Sequence, residues 1–174
     1  MLTSIIFVFV ATGYVIAESS CHTTDGLYEV NVIDRSVGKK IPQVIAFYAY
    51  KTKNVNPGAG RRIVFEKTMT NDGNGYNSHT GVFTCPKTGI YVFIWVIRMF
   101  HSEHSTELMI NNTLYGATFL RASDGDDATV SGTVVAHVSK GDAVYVRNRP
   151  KYGGYGNIYS NEIGKTSFSG WLLQ

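Results

Sequence analysis

The sequence predicts an all-β domain built as a sandwich or barrel of short antiparallel strands. Short runs of β-branched and aromatic residues alternate with clusters of Gly, Asn, Asp and Pro, a pattern typical of strands joined by tight turns. The composition agrees, because the 174 residues include 11 Tyr, 9 Phe and 18 Gly. No stretch has a convincing helical period, and neither a heptad nor a Gly-X-Y repeat is sustained.

The N-terminal residues predict a secretory leader. Residues 5–10 are apolar, and residues 15–17 (VIA) have the small side chains of a cleavage site. The apolar run is too short to span a membrane. We therefore predict a signal peptide over residues 1–17, a short N-terminal arm over 18–42 and a globular domain over 43–174 of a secreted, extracellular protein.

The arm and the two cysteines leave alternatives open. The arm holds either one short strand around residues 28–33 or no regular structure. Only Cys21 and Cys85 are present, so the chain is not a scaffold held together by disulfides. In the oxidising secretory route they either bond to each other, or Cys85 is buried and reduced while Cys21 links neighbouring chains. The second arrangement is favoured because Cys21 falls in the arm.

Charge and hydropathy exclude two classes of partner. Sixteen Lys and Arg against 13 Asp and Glu give a net charge of +3, which is too small to indicate a nucleic-acid partner. No apolar stretch after the predicted leader is long enough to span a membrane, so we expect no membrane span.

The predicted strands follow one another with turn residues between them. A loop with Gly and Pro covers residues 54–60, and residues 71–75 (NDGNG) form a turn because Gly and Asn tolerate positive φ. A further turn is predicted at residues 140–142. The strands are predicted at residues 43–50, 62–69, 90–97, 108–110, 114–120, 128–138, 143–149 and 166–173.

The run at residues 90–97 (IYVFIWVI) is apolar on both faces of a strand. In an antiparallel sandwich one face fills the core and the other normally meets water. The outer face must therefore be covered, and a neighbouring subunit is the favoured cover because bare apolar patches of that size are rare on monomers. The alternative is a loop or the N-terminal arm of the same chain.

A spaced pattern of aromatic, Asn and Gly residues precedes and includes that strand. Gly141-Asp142 and the closing residues 168–173 (FSGWLL) extend it. Together they resemble the signature of the complement C1q globular-head family over about residues 43–174, although Trp95 stands where the family usually has Phe or Tyr. The pattern consists of Phe65, Asn71, Tyr76, Phe83, Gly89, Tyr91, Phe93 and Trp95.

The resemblance implies a jelly-roll β-sandwich of about ten antiparallel strands, similar to the tumour necrosis factor fold, that assembles as a homotrimer. Without a collagen stalk the chain looks like the short secreted members of invertebrates, which are often lectin-like proteins of innate immunity.

A basic and aromatic patch is the candidate ligand site. Arg147, Arg149 and Lys151 alternate onto one side of a strand and its continuation, beside Tyr152 and Tyr155. Guanidinium groups suit carboxylates or phosphates, and aromatic rings pack against sugars. The patch would suit sialic acid, lipopolysaccharide or another anionic microbial glycan. The alternative is a solvated strand face beside a loop rich in Gly and Tyr.

Two further sites are predicted. Asp124, Asp126 and Asp127 form an acidic turn that could supply oxygens to calcium, without the spacing of an EF-hand; the resemblance adds that some family members bind calcium near the trimer apex. Asn111 begins the only glycosylation sequon, Asn111-Asn112-Thr113.

Three other motifs are assigned no chemistry. His101, Glu103 and His104 lack the spacing of a metal site and are expected in a polar loop. The GKTS sequence at residues 164–167 lacks the preceding Gly of a phosphate loop. No nucleophile elbow is present, so enzymatic activity is not expected.

The favoured function is therefore a secreted trimeric lectin that recognises microbial or anionic glycans. Two alternatives remain: an extracellular structural protein, calcium-linked or matrix-associated, and a cytokine-like ligand of a protein receptor. A shared fold cannot choose among them.

Overall fold

A computed structural model of the chain describes residues 21–24, 27–30 and 44–173, and it divides into two units, Met1–Pro42 and Gln43–Gln174. In the first unit, β1 (Cys21–Thr24) and β2 (Leu27–Val30) form an antiparallel pair. The predicted signal peptide lies outside the described residues, as does most of the predicted arm.

The second unit is all-β, and all of its strand pairs are antiparallel, as the sequence predicts. Its strands are β3 (Ala46–Tyr50), β4 (Lys67–Asp72), β5 (Tyr76–Asn77), β6 (Val82–Thr84), β7 (Gly89–Ile110), β8 (Thr113–Val138), β9 (Ala143–Asn148), β10 (Ile158–Tyr159) and β11 (Ser167–Leu172).

Two long strands, β7 and β8, pair with each other and contribute to both layers of the sandwich. The N-terminal half of β7 joins β11, which continues through β3 to β4; we call this layer the first sheet. The C-terminal half of β7 joins β9, which continues through β6 to β5; this is the second sheet. The predicted jelly-roll sandwich is confirmed.

The core between the sheets is aromatic, and Trp95 connects its two sides. Trp95 is 1% exposed, and its indole N–H donates to the hydroxyls of Thr106 (3.0 Å) and Thr118 (3.3 Å), both in the second sheet. A Cβ on Gly132 would lie 2.1 Å from the Trp95 ring. A glycine at that position therefore makes room for the larger indole where the family usually has Phe or Tyr.

Cys85 is buried without a disulfide, and its thiol lies 3.1 Å from the carbonyl oxygen of Lys87. This agrees with the favoured arrangement of the cysteines. The side chain of Cys21 lies outside the described part of the chain, so its link to a neighbouring chain stays a prediction.

Several predicted boundaries are wrong. The strand expected at residues 62–69 begins only at Lys67, because the backbone before it makes a single bridge, at Arg62, while Ile63 and Phe65 turn into the core. The four strands expected at 90–97, 108–110, 114–120 and 128–138 are parts of β7 and β8.

The polar loop expected at His101, Glu103 and His104 is also wrong, because all three lie within β7. Pairing with β8 breaks at His101, which has a φ of 46°, and resumes at Ser102. The acidic turn expected at residues 124–127 is the matching irregular part of β8, where the register passes from Ala122 to Asp127.

The outer face of the first sheet carries an apolar row, with polar residues such as Thr133 and Ser169 in the next row. One cross-strand row consists of Ala46, Trp171, Val92 and Val135. Val135 is 62% exposed, and Ile90 and Leu173 beside it are exposed as well. The predicted strand at residues 90–97 thus has an apolar outer side, with Ile90 39% and Val92 9% exposed; its cover by a neighbouring subunit or by the same chain stays a prediction.

Candidate functional site

The outer face of the second sheet carries two buried carboxylates, Glu103 and Glu107. Both lie on β7, and their side chains are only 8% and 5% exposed. A carboxylate removed from water is costly unless charged or hydrogen-bonding groups compensate it. Arginines on the neighbouring strands provide that compensation.

Glu107 binds the two arginines that the sequence singled out. The register of β7 and β9 sets Arg147 directly opposite Glu107. The Arg147 Nε donates to Glu107 Oε2 at 2.9 Å, and the Arg149 Nε lies 3.3 Å from Oε1. Because strand side chains alternate, both arginines reach the same carboxylate from one face.

Glu103 is bound by Arg121 and Tyr152. The register of β7 and β8 sets Arg121 opposite Glu103, and the Arg121 Nε and the Tyr152 hydroxyl both donate to its carboxylate. The hydrogen bond to Glu103 and the negative charge of that carboxylate both raise the pKa of Arg121. Sequence reasoning missed Arg121, because only the pairing of β8 with β7 brings it to the predicted patch.

These ion pairs fix the orientation of three guanidinium groups. In Arg121, Arg147 and Arg149 the carboxylate contact is made through Nε, and within the described residues the terminal nitrogens of these groups make no further side-chain hydrogen bond. The side chains of Arg121 and Arg149 are 61% and 47% exposed. The terminal N–H groups can therefore receive a carboxylate or phosphate in a two-pronged contact.

An open depression of about 300 Å³ lies beside these groups. Two aromatic rings border it, with Phe119 and Tyr152 packed edge to face at 5.8 Å between centroids. Apolar rings next to guanidinium groups suit a sugar that carries a negative charge. We call it the arginine depression; it is lined by Ser105, Phe119, Arg121, Arg149 and Tyr152.

The loop that carries Tyr152 is held against β7 at several points. The two ring nitrogens of His104 lie 3.0 and 3.1 Å from the carbonyl oxygens of Gly153 and Gly156. The backbone of Tyr155 exchanges two hydrogen bonds with that of Glu103. The position of Tyr152 is thus set by main-chain contacts of its own loop.

The predicted ligand residues are brought together only in part. Arg149 and Tyr152 line the arginine depression. Arg147 does not line it, but it contacts Glu107, which also contacts Arg149. Lys151 and Tyr155 are exposed nearby but do not line it.

The predicted calcium residues lie in the irregular part of β8. Asp127 forms an ion pair with Arg98, whose Nη1 also donates to Asn161 at 2.7 Å. The side chain of Asp124 lies outside the described part, and among the residues that are described no three His, Cys, Asp or Glu side chains come together as a metal site. Calcium at Asp124, Asp126 and Asp127 stays a prediction.

Asn111 lies exposed in the turn between β7 and β8, with a φ of 53°. Its side-chain Nδ2 donates to Asp142 Oδ1 at 3.0 Å, and its side-chain Oδ1 accepts from the Ala143 N–H at 3.0 Å. The hydrogen bond from Asn111 is the main reason that the pKa of Asp142 is lowered. The side chain locks this turn, and glycosylation there stays a prediction.

Comparison with known proteins places this fold in a family. The C1q domain model matches residues 46–173, and the chain belongs to the C1q domain family. It is 33% identical to zebrafish (Danio rerio) Caprin-2 over 132 residues, and 32% identical to Protein HP-25 homolog 2 of Bos taurus over 102 residues. These alignments cover 74% and 59% of this chain but only 14% and 47% of the relatives.

Solved structures show the same fold at low identity. The globular domain of zebrafish complement 1qA protein matches with a TM-score of 0.61 at 19% identity, over 75% of this chain and 98% of that one. The Eiger TNF structure from S. frugiperda matches with a TM-score of 0.57 at 16% identity, over 76% and 94% of the two chains. The C1q domain is a non-enzymatic binding fold, and C1q and TNF-like domains commonly form trimers. None of the described residues belongs to a helix with the length and hydrophobicity to cross a membrane.

Proposed function

We propose that this C1q-type protein is secreted and binds anionic glycans, including those of microbial surfaces, in the arginine depression. The observation that supports this most is the pairing of Glu103 and Glu107 with arginines through Nε. Buried carboxylates hold the guanidinium groups in place while the terminal N–H groups face an open depression beside Phe119 and Tyr152. Such a site binds and orients a charged sugar, and we expect the protein to act by binding rather than by catalysis.

The outer face of the first sheet supports a homotrimer as the working form. Its exposed Val135, Trp171 and Leu173 form an apolar surface that a second copy would cover, and C1q-type heads commonly form trimers. Three modest sites on one rigid trimer would gain avidity on a repetitive surface. The depression lies on the opposite sheet, so assembly leaves it accessible.

Binding of the purified protein to a panel of neutral, carboxylated and sulfated glycans tests the proposal. We expect selective binding of the charged members, and a loss of about tenfold or more, which is about 1.4 kcal/mol, in each of the Arg121→Gln and Arg149→Gln variants. Lys140→Gln removes one exposed positive charge outside the depression and should bind as the unaltered protein does. Equal losses in all three variants would show that net charge alone drives binding, and the proposed site would be wrong.

A cytokine-like ligand of a protein receptor is the second candidate. The match to the Eiger TNF structure supports it at the level of fold. Saturable binding to cells that survives removal of cell-surface glycans, together with an empty glycan panel, would favour this candidate. Retention in matrix only when calcium is present would instead favour a structural role.

A further inference from the structure

Arg62 and Arg147 face each other across neighbouring strands, which is unusual for two like charges. The Ile63 N–H donates to the Val146 carbonyl at 2.9 Å, and the Asn148 N–H donates to the Arg61 carbonyl at 2.8 Å. These two bonds flank the Arg62–Arg147 bridge, which makes it a non-hydrogen-bonded pair, the type in which side chains are closest.

The two arginines project from the outer face of the second sheet. Their neighbours Ile63 and Val146 point into the core, so Arg62 and Arg147 point outward. Arg62 leans away from Arg147, with its guanidinium 4.5 Å from the ring centroid of Tyr145 and its Nη1 donating to the Thr80 carbonyl at 3.1 Å. Like charges directly opposite each other weaken strand pairing. Glu107 contacts Arg147 but not Arg62, so an anion bound beside Arg62 would relieve the pair further.

The charges on this face are unbalanced. The carboxylate of Glu107 already serves both Arg147 and Arg149, and Glu103 serves Arg121. Three guanidinium groups therefore contact two carboxylates among the described residues, and Arg62 adds a fourth positive charge that contacts neither of them. We call these four residues, Arg62, Arg147, Arg149 and Arg121, the arginine stripe.

The register places the arginine stripe on a diagonal. Arg62 and Arg147 share the cross-strand row of Glu107, whereas Arg121 lies on β8 in the row of Glu103, four residues along β7. With strands about 4.8 Å apart and a rise of about 3.3 Å per residue, the ends of the stripe are about 20 Å apart. This length exceeds what one sugar residue reaches, and the arginine depression occupies only one end of it.

Resting on the proposed function, we propose that the ligand is a polyanionic polysaccharide chain that lies along the arginine stripe, with one sugar in the arginine depression and further charged sugars reaching Arg147 and Arg62. An extended chain with a negative charge on successive sugars matches the stripe in sign and in length. The exposed Phe119 ring and Tyr152 at one end favour a sugar chain over an acidic peptide.

Calorimetry with oligosaccharides of defined length tests this. Two series are used, oligogalacturonates with one carboxylate per sugar and oligomers of a sulfated galactan, each from one sugar to eight. We expect the affinity per protomer to rise at least tenfold from the monosaccharide to the hexasaccharide and then level off, because the chain then spans the stripe. Binding of the longer oligomers should weaken with added salt more steeply than binding of the monosaccharide.

Arg62→Gln separates the stripe from the depression. Arg62 is exposed, and its replacement relieves the like-charge pair, so the variant should fold with an unchanged or raised Tm. It should weaken the hexasaccharide about tenfold while leaving the monosaccharide unaffected, whereas Arg121→Gln should weaken both. Lys140→Gln is the control of equal charge and should weaken neither.

The outcomes distinguish the two proposals. If the monosaccharide binds as tightly as the hexasaccharide and Arg62→Gln changes neither, the chain ligand is wrong while the glycan site stands. If neither series binds at any length, both proposals fall. If a single-stranded oligonucleotide of equal charge binds more tightly than both series, the stripe serves a different polyanion and the polysaccharide assignment is overturned.

Discussion

The two outer faces of the sandwich carry opposite chemistry, although the same two strands, β7 and β8, run through both. On the first sheet, Val92 of β7 lies in a row between Trp171 and Val135, all apolar. On the second sheet, Glu103 and Glu107 of the same β7 are bound by arginines. One strand thus supplies the face suited to a second copy and the face suited to a charged ligand.

The difference between the faces arises at one residue. Before His101 the even-numbered side chains of β7, such as Val92, point outward and the odd-numbered ones, such as Trp95, point into the core. After it, Glu107 points outward and Leu108 points into the core. An irregularity that adds one residue to a strand reverses which side chains face out, and the positive φ of His101 marks that point.

The largest effect is expected where the two sheets are joined. Trp95→Ala should destabilise the fold by about 4 kcal/mol, because it leaves a cavity and removes the indole N–H that donates to the hydroxyls of Thr106 and Thr118. Chemical denaturation followed by tryptophan fluorescence of the remaining Trp171 measures this. Trp171→Ala removes the same side chain from the outer face, where it is 37% exposed in the single chain, and should cost far less when both variants are compared at a concentration at which they are monomeric. Equal losses under those conditions would contradict the role of Trp95 in joining the two sheets.

A pair of matched substitutions tests the opposite roles of the two faces. Val135 and Phe119 both lie on β8 and are 62% and 52% exposed, so a glutamate at either position is compatible with folding. Val135→Glu should convert the proposed trimer to monomers, because three buried charges would meet at its interface. Phe119→Glu should leave the mass unchanged and weaken binding of anionic glycans about tenfold or more.

Sedimentation velocity and glycan binding are measured on both variants. Exchanged results, with Phe119→Glu monomeric and Val135→Glu still trimeric, would show that the faces have been assigned the wrong way round. A Val135→Glu variant that stays trimeric, with Phe119→Glu trimeric too, would mean that the assembly uses neither face.

The sequence predicts the fold class well because local patterns carry it. The alternation in residues 128–138, the apolar run at residues 90–97 and the turn residues between strands are together enough to indicate a sandwich, and the spacing from Phe65 to Trp95 indicates the family. The extra residue in β7 at His101 has no such local signal. The sequence therefore predicts that the strand ends before His101, whereas β7 continues through it and only the side chains that face outward change.

Only half of the site is predictable from the sequence. Arg147 and Arg149 lie close together in sequence, and their alternation marks one face. Arg121 and Arg62 are brought to that face by pairing with distant strands. The sequence predicts a loop at Glu103 and assigns no element to Glu107. Without the register, neither the ion pairs nor the arginine stripe follows from the sequence.

On the charged face, Glu107→Gln is expected to have an intermediate effect. The amide keeps the shape of the side chain but leaves Arg147 and Arg149 without their shared carboxylate, and we expect a loss of about 2 kcal/mol in the free energy of unfolding. Without that carboxylate the two arginines are held less firmly, so the variant should also distinguish less well between carboxylated and sulfated glycans. Glu162→Gln, at an exposed position outside this face, removes the same charge and should change stability by less than about 0.5 kcal/mol.

The smallest effect is expected at the ion pair beside the first sheet, where Glu66 meets Lys51. Burial alone would raise the pKa of Glu66, but hydrogen bonds from the Thr52 hydroxyl and N–H and from the Lys51 ammonium outweigh it and lower the pKa from 4.5 to about 2. A carboxyl group whose pKa is lower in the folded state stabilises the protein fully above pH 4.5 and loses that contribution as the pH falls towards 2. Because the side chain is 37% exposed, we expect only about 1 kcal/mol. Glu66→Gln should therefore lower the stability at pH 6 by that amount and converge with the unaltered protein near pH 2 in urea denaturation. A constant difference between the two proteins over this range would show that the carboxylate is not what Lys51 and Thr52 stabilise.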